Sequence, residues 1–146
     1  MIIRRPPGLQ QGVTLAASHE DECHGYGGVT ALGNNNFVIA SPSDNDSVGG
    51  NDNAGSVMLV SGATGLQIGV TLVGDQEDDF LGGDSVTALA NNNFVIASRD
   101  DDDSVGGNDN AGSVMLVSGA TGLQIGVTLV GDQEDDRLGY CLLVTS

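Results

Sequence analysis

Short β-type runs of four to seven residues recur along the chain, each bounded by Gly, Asn, Asp or Ser. In one stretch they are Val29–Leu32, Phe37–Ser41, Ser56–Ser61 and Gln67–Val73; they return as Val86–Leu89, Phe94–Ser98, Ser113–Ser118 and Gln124–Val130. No segment holds a 3.6-residue apolar period over ten or more positions, so the pattern predicts strands and no helix. Gly33-Asn34-Asn35-Asn36 has the residues of a tight hairpin, because Asn and Gly accept positive φ. Gly62–Gly65 is a second turn with glycine at both ends. The inner runs Phe37–Ala40 and Val57–Val60 are apolar at successive positions, so both faces of their sheet need cover. With no helix available, that cover has to come from a neighbouring sheet.

A long internal repeat supplies the neighbour. Residues 29–85 align with 86–142 and differ only at 33, 42, 43, 45, 80, 83, 84 and 85, so 49 of 57 positions agree. The segment Asp46–Asp79 is identical to Asp103–Asp136. The register extends backwards, since Gly8–Leu15 matches Gly65–Leu72 at all but one position. The expected organisation is a partial repeat at 1–28 ending in a last-strand segment (Val13–Ala16), full units at 29–85 and 86–142, and a truncated start at 143–146. It reads as a cut from a longer array.

A four-stranded antiparallel unit of this length, dry on both faces, is the unit of an all-β partial β-propeller. A β-solenoid and a β-sandwich are the alternatives. Two units do not close a ring of about 4–8 blades. Open apolar faces at the ends therefore predict self-association.

Charge narrows the partners. The chain has 20 Asp+Glu against 4 Lys+Arg, a formal charge of -16, and no lysine. Schiff-base chemistry and a Walker phosphate loop both need lysine. Nucleic acid is not an expected partner, because phosphate binding runs on clustered cations. No apolar run approaches the ~20 residues of a membrane span, so no membrane insertion is expected, and the Arg-containing start has no following apolar stretch of a signal peptide. Two cysteines, Cys23 and Cys141, fall at different repeat positions and read as incidental thiols.

The repeat resembles the FG-GAP family, the blades of integrin-type propellers. Phe80-Leu81-Gly82 and Leu138-Gly139-Tyr140 stand where that family's Phe-Gly piece starts a blade. Ala40-Ser41-Pro42 stands where its Gly-Ala-Pro piece ends the second strand, and Ala54–Val60 looks like its third strand. The family's calcium loops join the first and second strands, but Gly33–Asn36 has no carboxylate there, so its ligands do not carry over. The text is also similar to tandem repeats of bacterial filamentous-haemagglutinin-type surface exoproteins. That resemblance implies an extracellular or cell-surface, adhesive setting.

Two acidic loop sets hold the candidate chemistry. The first joins the second and third strands and carries Asp44, Asp46 and Asp52, with Asp101, Asp103 and Asp109 as twins. Calcium takes six to eight oxygen ligands from flexible loops. Asp44 and Asp46 alternate as calcium ligands often do, although Val48 occupies the position where an EF-hand needs an oxygen donor. The second set is Asp75–Asp79 with its copy Asp132–Asp136. Calcium is the candidate cofactor; the competing reading is a solvated acidic surface that keeps the repeat soluble. His19–His24 gathers His and Cys without zincin spacing and reads as a surface loop. There is no Gly-x-Ser-x-Gly, and duplicated loops offer no unique acid–base pair, so no enzyme is expected. The sequence thus points to a structural or adhesive repeat module of a secreted or surface bacterial protein. Its alternatives are a calcium-dependent carbohydrate- or protein-binding module, and a fragment with no independent activity.

Overall fold

The computed structural model describes residues 25–46 and 48–140. The Val13–Ala16 segment, the His19–His24 group, Cys23 and Cys141 lie outside the described residues. Within them run β1 (Gly28–Ala31), β2 (Phe37–Ser41), β3 (Ser56–Val60), β4 (Gln67–Val73), β5 (Ser85–Ala88), β6 (Phe94–Ser98), β7 (Ser113–Val117) and β8 (Leu129–Val130). They form two four-stranded antiparallel sheets, each a meander in chain order. The described residues are all-β, and none of their elements is a helix able to cross a membrane. Each unit thus folds into one sheet rather than into solenoid coils.

The hairpins form as their residues dictate. Asn35 and Asn92 both sit at φ 67. In the first turn the Leu32 amide donates to the Asn36 carbonyl at 2.8 Å, and the Asn36 amide donates to Asn34 Oδ1 at 3.1 Å. Gly62 lies so close to this turn that a Cβ would stand 1.8 Å from the Asn35 carbonyl oxygen, so no other residue fits.

The register sorts each sheet into two unlike faces. Val38 pairs with Leu59 and Ala40 with Val57, which puts these four on one face. Phe94 pairs with Val117 and Ile96 with Met115, which puts those four on the opposite face of the second unit. The core joins these two sets: Val38, Ala40, Val57 and Leu59 of the first sheet cluster with Phe94, Ile96 and Val117 of the second. The units therefore stack face to back, and the two-sided apolar strands are dried by a sibling. Burying a Leu, Val or Phe side chain contributes about 1.5–3 kcal/mol, so this joint is the main source of stability.

Polar contacts fix the stacking register. Thr30 Oγ1 donates to the Val86 carbonyl at 3.0 Å, and the Asn34 and Asn36 side-chain amides both donate to the Gly119 carbonyl at 2.9 Å.

One strand departs from the sequence reading. Gln67–Val73 and Gln124–Val130 have the same text, yet the first is a seven-residue strand and the second is paired only at Leu129–Val130, with an isolated bridge from Gln124 to Val117. The difference is tertiary. Gly69 abuts the Thr121–Gly122 turn of the next unit, where a Cβ would meet the Thr121 carbonyl at 2.4 Å. Gly126, its twin, has nothing described within 4 Å. β-Propensity is weak when packing does not support it, so the unbraced copy pairs less.

Candidate carboxylate site at the joint between units

The loop after β4 and the loop after β6 meet at one end of the joint. Gln76 Nε2 donates to the Asp102 carbonyl at 3.1 Å, tying the first unit's loop to the second's. This brings together carboxylate oxygens of Asp75, Asp79 and Asp101, all within 4.8 Å of one another. Three carboxylates at this spacing are able to hold a metal ion.

Asp79 is the buried member, with no exposed surface. Its Oδ2 accepts the Gln76 amide at 2.7 Å and its Oδ1 accepts the Asp102 amide at 3.2 Å. Burial pushes its pKa up to about 7; the two amides oppose this, and the negative charges of Asp101 and Asp75 add to it. Burial also raises Asp101, against a hydrogen bond from Ser113 that favours its charged form. Without a cation, the group is most comfortable holding a proton; a cation removes the reason for it.

Of the six residues singled out from the sequence, only Asp101 belongs to this trio. Its twin Asp44 accepts a 2.5 Å hydrogen bond from Ser56 Oγ. Asp46 turns inward on its own loop, accepting the Val48 and Gly49 amides at 2.9 and 2.7 Å. Asp103 does the same with the Val105 amide, and the backbone amides of Gly106 and Val105 hold its pKa below the usual carboxylate value. Asp52 and Asp109 point to solvent while their carbonyls accept the Asp78 and Asp135 amides. Within each loop, then, the alternating aspartates build turns.

Asp75 and Asp79 belong to the second acidic set, and nothing in the linear order pairs them with Asp101. The pairing follows only from face-to-back stacking, which lays the loop after one unit's fourth strand on the loop after the next unit's second.

No curated protein and no solved structure matches the chain. The family model that does match names neither FG-GAP nor haemagglutinin-type repeats, though the repeat nature agrees. It covers residues 31–83 and 88–140, one match on each stacked unit, and the chain belongs to that family, described as Repeat of unknown function (DUF5650).

Proposed function

We propose that this chain is a non-enzymatic structural and adhesive repeat module of a secreted or cell-surface bacterial protein, stiffened by calcium at the joint between its units. The observation that carries the reading is the trio Asp75, Asp79 and Asp101, which draws its ligands from two units rather than one. An ion held there clamps the loops to each other. Its donors are all hard oxygens, with no nitrogen or sulfur among them, which favours calcium over a transition metal. Backbone carbonyls and water would complete the shell. A site with few protein ligands suits the weak affinity of extracellular modules, about 10⁻⁴–10⁻³ M. Stacking of nearly identical units supports a structural role, because each joint reuses the same contacts.

The test is thermal unfolding with and without millimolar calcium, beside calorimetric titration. Calcium raises Tm by several degrees in the wild type, and Asp75→Asn or Asp101→Asn removes the rise. Asp52→Asn and Asp109→Asn leave it intact. A wild-type Tm indifferent to millimolar calcium would end the metal reading.

A further inference from the structure

The two units differ at only eight of 57 positions, and five of those, 42, 43, 80, 83 and 84, gather on one surface. A groove of about 270 Å³ opens at the rim where β1 and β5 begin and β2 and β6 end. Pro42 and Ser43 line it together with their repeat counterparts Arg99 and Asp100. Gly83 lines it with Tyr26, which holds the same repeat position one unit earlier. Phe80 and Asp84 complete it. Every lining residue thus stands at a position where the repeat varies, while the strands, turns and carboxylate loops around them are copied almost unchanged. A scaffold that holds its text constant and varies one concave surface is arranged as a presenter of that surface.

We propose that this groove is a carbohydrate-binding site, reading a neutral sugar against the Tyr26 ring. This deepens the adhesive reading above by naming what is bound. Tyr26 is 77 % exposed, so its flat face is free to take the apolar C–H face of a pyranose. Sugar hydroxyls donate and accept together, and the groove has groups for both. The Arg99 guanidinium only donates, while the Asp84 and Asp100 carboxylates accept. These groups are already placed: Arg99 Nε lies 3.6 Å from Asp84 Oδ1 and 3.3 Å from Asp100 Oδ2, and the Arg99 amide donates to Asp84 Oδ2 at 2.5 Å. Preorganised polar groups lose little freedom on binding.

Size and charge select this class over others. The groove is slightly below the roughly 300–1,000 Å³ of sites for larger ligands. It lies at strand ends, so it offers no sheet edge for a peptide to extend. A chain of formal charge -16 repels acidic partners and is indifferent to neutral sugars. The groove also adjoins the carboxylate trio, since Phe80 follows Asp79 and Asp100 precedes Asp101.

The experiment is biolayer interferometry of the full chain on immobilised cellohexaose, maltohexaose, chitotetraose and galactan, in millimolar calcium and in EDTA. Saturable binding to at least one glycan is expected. Tyr26→Ala weakens it about tenfold or more, Tyr26→Phe preserves it, and Arg99→Lys weakens it partly by removing the planar fork. Circular dichroism and the calcium-dependent Tm shift stay unchanged in Tyr26→Ala, so loss of the groove is separable from loss of the joint. Absence of binding to all four glycans at millimolar sites, or binding indifferent to Tyr26→Ala, overturns the proposal. So does binding of an arginine-rich decapeptide in place of every sugar, which would make the groove a protein contact.

Discussion

Asp79 and Asp136 hold the same place in two copies of one text, and Asp79 is sealed from water while Asp136 is open to it. The second unit's loop seals the first, and no described residue does the same for Asp136. Leu81 and Leu138 repeat the contrast, at 4 % and 37 % exposed. Each pair is an internal control, with equal chemistry in unequal surroundings.

The first consequence concerns pH. Asp79 has a folded pKa raised to about 7 from 3.8, so between those values the native state binds more protons than the unfolded chain. Stability of the metal-free protein therefore falls as pH rises from about 4 to 7. Urea unfolding in EDTA shows a higher midpoint at pH 5 than at pH 7.5. Asp79→Asn flattens this slope, and Asp136→Asn does not. An unchanged slope in Asp79→Asn would mean that other carboxylates govern the transition.

Calcium and the proton compete for the same oxygens. Its effect on Tm is expected to be larger at pH 8 than at pH 5, where Asp79 keeps its proton. Differential scanning calorimetry at both pH values, with and without calcium, measures the difference directly. An equal shift at the two values would place the ion away from Asp79.

Packing gives a third comparison. Leu59 is 2 % exposed and its twin Leu116 is only part-buried. Leu59→Ala is expected to cost about 2–5 kcal/mol, as for other buried leucines, and Leu116→Ala clearly less. Equal losses in chemical denaturation would argue that the faces are not stacked as described.

Glycine twins give a fourth. Gly69 and Gly126 both hold positive φ, at 74 and 77. Alanine at Gly126 meets only the backbone strain of about 1–2 kcal/mol. At Gly69 the added methyl also strikes the Thr121 carbonyl, so Gly69→Ala is the more destabilising.

Strands were legible in the sequence because apolar runs between Asn and Gly turns leave little choice of element, and two-sided runs such as Val57–Val60 announced a stacked sheet. The family model agrees with a repeat, and the structure gives each copy four strands. What the text could not separate was Gln67–Val73 from Gln124–Val130, since identical words differ only by what lies against them. The trio at the joint was hidden for a related reason. Asp75 and Asp101 are 26 residues apart and share no motif; their meeting depends on which face of one sheet lies on which face of the next. The varied positions were visible as mismatches, but only the fold gathers Tyr26, Pro42 and Arg99 around one opening.

Because the front of one sheet fits the back of the next and the two are unlike, the assembly has a direction, as a staircase has. A gene that copies one tread in place gains a fitted tread at once, with no new surface to evolve. The length of such an array can then change by whole steps while the shape of every step stays the same.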